Sequence, residues 1–351
     1  MASRREALKT LSLATGAGLL APARFGPLGS RAARAQEARA LDINLLGFAL
    51  GVHVPTTAAI LDLLPEMQGY APPNTQRMDQ IRTLTQTLVA GAADVGETDP
   101  ITTFRAVEAG ADLKIIGLWY MHTSLVFVVD GDRVQSFKDL ENPDNVIAIN
   151  SRGDITEVML VGPLLREGVD IGKLNIIEVG GSGARMRALL AGRVQAVPVH
   201  FDQAAAIADE GNYKVLLEPW KEYDAWVNEV WVTNGEWLRQ PGNERAAVDL
   251  MKATIAGFRK ANDDFAWYAD AYRRHVTLAD ANQASDESIR PLWEGLSQQI
   301  GAWPQDMDLR RDHFEALLPV YKAAGAVEGT VDVQAVVDTS FMQQALDELR
   351  A

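Results

Sequence analysis

A two-lobed α/β fold is predicted for this chain by three observations. Short β-rich runs alternate with longer helical runs from Leu41 onward, one strand–helix unit occurs twice, and strands stop after Thr233 while helices continue. Alternating βα units build mainly parallel sheets. The repeated unit is Ala90-Gly91-Ala92-Ala93-Asp94-Val95-Gly96-Glu97-Thr98-Asp99-Pro100, echoed by Ala191-Gly192-Arg193-Val194-Gln195-Ala196-Val197-Pro198-Val199-His200-Phe201-Asp202. Each follows a helical run ending in Ala-Gly, passes through a short apolar strand and meets an aspartate that opens another helix. Strand ends feeding helix N-termini are where open α/β sheets bind ligands, because unpaired N–H groups and the positive end of the helix dipole face the crevice. Two such units suggest two lobes about one cleft.

Residues 1–35 fall outside this fold. Arg4-Arg5 precedes an apolar run from Leu11 to Ala23, and Ala33-Arg34-Ala35 offers a small-x-small cleavage site. This is the pattern of a cleavable export signal with a twin-arginine-like start. Ala7 stands where that pattern has a bulky apolar residue, so general secretion stays open. No later run approaches about 18 unbroken apolar residues, the length that spans a bilayer, so no membrane insertion is expected.

The first lobe is expected over residues 36–122, opening with a strand over 41–48 and a helix over 53–67. Pro72 and Pro73 weaken a strand over 69–74, since proline cannot donate to a ladder. A helix follows over 78–90, with Ile81, Leu84, Thr85, Leu88 and Val89 on one face. Asp99-Pro100 then sets an N-cap with proline at N1. The second lobe is expected over 123–227, with strands near 124–130, 146–150, 175–179, 196–200 and 213–217 and helices over 155–167 and 184–191. Residues 228–351 return to the first lobe through a strand at 226–233 and finish in helices near 243–262, 263–275, 286–301, 310–324 and 340–350, packing back on that lobe.

The whole chain of 351 residues carries a formal charge of −14, and removing the leader's six basic residues and one acidic residue takes this to −19. Such a surface argues against nucleic acid, where Lys and Arg must neutralise phosphates. The absence of cysteine excludes disulfides, thiolate metal sites and cysteine nucleophiles. It also excludes a lipidated cysteine after the signal, so a periplasmic location follows.

The stretch Gly91-Ala92-Ala93-Asp94-Val95-Gly96-Glu97-Thr98-Asp99-Pro100, followed by Ala109-Gly110-Ala111-Asp112-Leu113-Lys114-Ile115-Ile116, resembles periplasmic solute-binding proteins of ABC importers in the nitrate, sulfonate, taurine and thiamine-precursor-like group. Ser136-Phe137-Lys138-Asp139-Leu140, Val146 to Gly153, Glu167-Gly168-Val169-Asp170 and Leu189 to Ala196 continue the resemblance in the family's order, over roughly residues 41–240. Two departures stand out: many members carry a tryptophan before the aspartate where this chain has His200-Phe201-Asp202, and a β-branched second strand where it has Gly69-Tyr70-Ala71-Pro72-Pro73. The resemblance implies a type II periplasmic-binding fold and no enzymatic turnover. It implies a monomer without a cofactor, whose partners are a small solute and an inner-membrane ABC permease.

In a two-lobed protein the C-terminal ends of the strands line the cleft. That nominates Phe48, His53, Thr98, Asp99, Trp119, Ser151, Arg152, Asp154, His200, Asp202 and Glu229, with Trp226 beside them. Ser151 and Arg152 together offer an anion site; equally, Ser151 or Asp154 caps its helix while Arg152 faces solvent. Glu97, Asp99, Asp154, Asp202 and Glu229 stand against that one arginine, which favours a donor-rich heterocycle or aromatic compound stacked on Trp119, Trp226 or Phe48. An alkanesulfonate or similar oxyanion is the alternative solute; a ligand-sensing accessory protein and a pyrimidine-precursor synthase-like enzyme are the alternative functions. The five histidines, at 53, 122, 200, 275 and 313, show no metal-ligand spacing. Gly180-Gly181-Ser182-Gly183 fails as a nucleophile elbow, a dinucleotide fingerprint and a P-loop.

Overall fold

The computed structural model describes residues 38–351 except Phe48 and Asp224. The leader and Phe48 therefore lie outside the described residues. Ten strands form two five-stranded sheets: β1 (Asp42–Leu46), β2 (Asn74–Met78), β3 (Val95–Thr98), β4 (Leu113–His122), β5 (Leu125–Asp130), β6 (Val146–Ile149), β7 (Asn175–Glu178), β8 (Ala196–His200), β9 (Tyr213–Leu217) and β10 (Val227–Asn234). The first sheet has the order β2-β1-β3-β10-β4 and the second β7-β6-β8-β5-β9. In each, four strands run the same way and one lies antiparallel between two of them: β10 between β3 and β4, and β5 between β8 and β9. This is the mainly parallel, two-sheet α/β architecture expected above, with one antiparallel strand in each sheet, the first that follows a crossing from the other.

The repeated unit occupies equivalent places. β3 lies between β1 and β10, and β8 between β6 and β5. The helices before them, Ile81–Val89 and Ser182–Leu190, end alike: Gly91 and Gly192 sit at φ 65° and 66°. The N–H groups of Ala92 and Arg193 reach back to the carbonyls of Thr87 and Ala188, both at 2.9 Å. That closure needs a left-handed residue, which glycine supplies without steric cost.

Two expectations shift. The second strand begins at Asn74, after the prolines rather than across them, and its first four residues are exposed. An exposed polar edge strand has no hydrophobic alternation for a sequence reading to detect. The aspartates of the repeat also differ: Asp99 is the N-cap of helix Pro100–Glu108, whereas His200 holds that place before helix Phe201–Ala206 and Asp202 lies in its first turn.

The helical C-terminus packs on both sheets' helices. Helix Asn243–Asp263 lies against the segment Val54–Ala58 and against Ser340–Arg350. Helix Arg311–Ala323 lies against Ile155–Arg166, which serves the second sheet. From that helix Phe314 meets Phe104 edge-on at 6.0 Å and Tyr321 meets Trp226 at 6.3 Å. Among the described residues, no helix is long and apolar enough to cross a membrane.

Candidate functional site

Three adjacent strands of the first sheet build the centre of the site. β10 runs antiparallel between β3 and β4, pairing Glu229 with Tyr120 and Trp231 with Glu97. Glu97, Tyr120 and Glu229 are all buried. His53, at the start of the helical segment after β1, is buried above them: its Nε2 lies 3.4 Å from Glu229 Oε2 and 3.8 Å from Glu97 Oε1. Glu97 Oε2 accepts the Leu46 N–H at 2.9 Å, and the Asn228 amide donates to the Tyr120 hydroxyl. Glu97 Oε1 and Glu229 Oε2 both face His53 in the buried interior.

Electrostatics follow from that burial. Desolvation, and then the neighbouring Glu229 carboxylate, push Glu97 well above the usual carboxylate range. Burial lifts Glu229 to about 7, against the hydrogen bonds with Glu97 and Tyr120. Two carboxyls this close cannot both ionise cheaply, so Glu97 keeps the proton first. Burial lowers His53 and, more strongly, His200.

His53, Glu97 and Glu229 place three potential metal-ligand atoms within 4.8 Å of one another. The imidazole tautomer opposes ligation. The Leu50 N–H donates to His53 Nδ1 at 2.9 Å, so in the neutral ring Nε2 carries the proton and presents a donor to the carboxyls. A metal-binding histidine has the reverse arrangement, its second nitrogen donating outward.

The second sheet contributes from the other side. His200, at the end of β8, bonds the Ser124 hydroxyl through Nδ1 at 2.8 Å and stands edge-on to His53, ring centres 5.4 Å apart. Asp202 accepts the Gly51 N–H at 3.3 Å, and Asp99 of the first sheet accepts the Ile155 N–H at 3.3 Å. A cavity of about 700 Å³ opens beside this junction, lined from both sides by Leu50, Asp79, Gln80, Gly181, Arg187 and Gln203 among others.

The other nominated residues lie as follows. Asp154 caps helix Ile155–Arg166 through Thr156 at 2.9 Å, and burial, then Asp99, lift it to about 7. Ser151 is held in the turn before that cap, its N–H on Asp154 at 2.9 Å. The Thr98 hydroxyl pairs with Thr85 at 2.7 Å and ties strand to helix. Arg152 is exposed and donates to Glu157 and the Ile176 carbonyl. Trp119 packs edge-on to Trp231 at 4.5 Å, and Trp226 lies between Tyr223 and Tyr321, both in the core. The structure thus brings His53, His200, Asp202 and Glu229 together and adds Tyr120 and Asn228, which the sequence reading missed. A glutamate inside the apolar strand Val95–Thr98 was a legible signal; Tyr120 and Asn228 gave none, because only the β4–β10 register places them.

The family model described as NMT1/THI5 like matches residues 78–264, more than half of the chain. The chain belongs to the NMT1/THI5-like family. Solved structures agree with that membership at the level of fold. The alkanesulfonate-binding protein SsuA from Xanthomonas axonopodis pv. citri, bound to MOPS, is 16% identical, with 87% of this chain and 99% of that one covered at a TM-score of 0.67. The periplasmic nitrate-binding protein NrtA from Synechocystis PCC 6803 is 12% identical, with 90% of each covered at 0.73. The ligand-binding component of an ABC-type import system from Staphylococcus aureus, with zinc bound, is 16% identical, with 88% and 99% covered at 0.70. No curated protein matches the chain.

Proposed function

We propose that this NMT1/THI5-like protein is the solute-binding component of an ABC importer, holding a small organic solute rich in N–H donors between its two sheets. The observation that carries the reading is the pair of buried carboxyls of Glu97 and Glu229, set against His53 at the junction of the sheets. Two buried carboxyls offer more acceptor sites than their few neighbouring donors fill, and a ligand ammonium, amidine or ring N–H would take the remainder. The fold shared with proteins named for alkanesulfonate and nitrate binding supports transport, while the carboxyl-rich junction separates this chain from those solutes. Trp119 and Trp226 are committed to the core, which weighs against the aromatic stacking that the sequence suggested.

Binding shifts an open–closed equilibrium, and an inner-membrane permease reads the closed form; no bond is made or broken. The leader delivers a monomer to the periplasm. The test is a thermal-shift titration with guanidinium, amidine and aminopyrimidine compounds beside sulfonates and nitrate. A solute at about 100 times its Kd stabilises the fold by about 2.7 kcal/mol. The expected hit is a donor-rich compound, recovered chemically unchanged, whose affinity falls at least tenfold in Glu229→Gln. A hit that is consumed, or one indifferent to that substitution, overturns the reading.

A further inference from the structure

The second sheet's helices set two hydrogen-bond donors on the wall of the cavity, and neither has an acceptor. Arg187 lies in the second turn of helix Ser182–Leu190 and lines the cavity. Its side chain is exposed, and among the described residues its guanidinium makes no ion pair and donates no hydrogen bond. Helical side chains lean one turn back, toward the N-terminus of their helix. Here that turn holds Gly183, where a Cβ would lie 3.5 Å from Arg187 Nη1. The guanidinium thus rests over bare backbone near the helix start, where the dipole also favours negative charge.

Gln203 reaches the same place from helix Phe201–Ala206. It is 3% exposed and lines the cavity, and its Oε1 accepts the His200 N–H at 3.1 Å. With the oxygen held there, the amide nitrogen points the other way and donates to no described residue. It lies 4.0 Å from the same Cβ position on Gly183. A buried amide donor without an acceptor is costly, and this one meets an unpaired cation over one glycine.

The opposite wall carries Asp79, the residue after β2 of the first sheet. Its carboxylate lies against Gly47, where a Cβ would collide with Oδ1. It too is without an ion pair or side-chain hydrogen bond among the described residues, so Asp79 and Arg187 face one cavity without pairing.

We propose that Arg187 and Gln203 form the subsite for an acid group of the solute. A guanidinium can take both oxygens of a carboxylate, and the Gln203 amide adds a further donor. Joined to the donor-rich reading on which it rests, this assignment makes the solute a zwitterion, with an oxyanion at one end and N–H groups at the other. Asp79 disfavours an anion that lacks the second end, because like charges in one cavity repel. The cavity's volume of about 700 Å³ suits a small organic molecule of this kind.

The experiment measures calorimetric affinities for two matched pairs, para-amidinobenzoate with its carboxamide and guanidinopropionate with its carboxamide, beside benzoate and propionate. The proteins are wild type, Arg187→Ala and Gln203→Glu, each confirmed folded by its thermal melt. Gln203→Glu keeps an oxygen for the His200 N–H and replaces the amide donors by a negative oxygen. In at least one pair the acid is expected to bind wild type at least tenfold more tightly than its carboxamide and than the plain acid. The advantage over the carboxamide is expected to fall below about twofold in both variants.

Carboxamides that bind wild type as tightly as their acids overturn the subsite and leave the donor-rich reading standing. An acid advantage that survives Arg187→Ala also overturns it, and this variant decides alone should Gln203→Glu fail to fold, since the exposed Arg187 guanidinium bonds to nothing. Benzoate or propionate binding as tightly as its donor-bearing counterpart, with the same loss in Arg187→Ala, sinks the donor-rich reading and supports the acid subsite. Silence across all of these compounds overturns both.

Discussion

His53 presents Nε2 to Glu229 Oε2 at 3.4 Å as a donor, because the Leu50 N–H holds Nδ1 as an acceptor. One backbone bond thereby decides the polarity of the whole cluster. A ring fixed in this tautomer offers a proton to the carboxyls, leaving the remaining acceptor capacity of Glu97 and Glu229 for a solute that brings N–H groups of its own.

That relationship makes stability depend on pH with a definite sign. Burial lifts Glu229 to about 7 in the folded chain, from about 4.5 for a solvated glutamate. The folded state therefore binds more protons than the unfolded state between these values, and its contribution is complete below about pH 4.5 and lost as pH rises through 7. Glu229→Gln removes the loss. Relative to wild type, the variant should be about equally stable at pH 4.5 and gain up to about 3 kcal/mol by pH 8, at about 1.36 kcal/mol per pKa unit. His53 and His200, lowered by burial, act with the opposite sign below pH 6.5, but they are present in both proteins and largely cancel. Urea unfolding at pH 4.5, 6 and 8 checks this, and a gap that stays flat would show Glu229 ionised throughout.

Arg152 should prove dispensable for the solute. Its guanidinium is half-exposed and lies 2.6 Å from Glu157, an ion pair of the kind that contributes about 0–1 kcal/mol. Arg152→Ala is expected to change unfolding free energy by under about 0.5 kcal/mol and to leave the affinity of any hit from the solute panel unchanged. Calorimetric titration of both proteins with that hit decides; a tenfold loss would return Arg152 to the binding site.

Gly257 should resist even the smallest enlargement. A Cβ there would lie 2.5 Å from the Pro55 carbonyl oxygen and 3.2 Å from its carbon, so backbone rather than a mobile side chain blocks it. Alanine favours a helix by about 1 kcal/mol over glycine, yet overpacking costs about 1–3 kcal/mol. Gly257→Ala should therefore be destabilised by up to about 2 kcal/mol, the difference of those two effects. A chemical denaturation midpoint above wild type would mean that helix Asn243–Asp263 is free to slide away from Pro55.

Local chemistry made much of the fold legible. Gly91 and Gly192 close their helices in the left-handed region, and Asp99 and Asp154 cap theirs, because each of these devices is complete within a few residues of chain. The edge strand Asn74–Met78 was misplaced for the converse reason: its residues are polar and exposed, so nothing in their pattern distinguishes a strand from a loop. Trp119 and Trp226 show a different limit. A tryptophan at a strand end fits a cleft or a core equally well in sequence, and here Trp231, Tyr223 and Tyr321 claim them for the core.

The sequence by itself determined the two strand–helix units, their glycine stops, the aspartate start of the first, the cysteine-free acidic composition and the family resemblance. Only the tertiary structure decided that β10 returns between β3 and β4, bringing Glu229 beside Tyr120 and within reach of His53 and Glu97. It alone sent Asp99 to Ile155 and Asp202 to Gly51. The reason is physical: caps and turns are satisfied by neighbours in the chain, whereas strand register and a shared buried proton depend on groups far apart in sequence, whose meeting no local periodicity encodes.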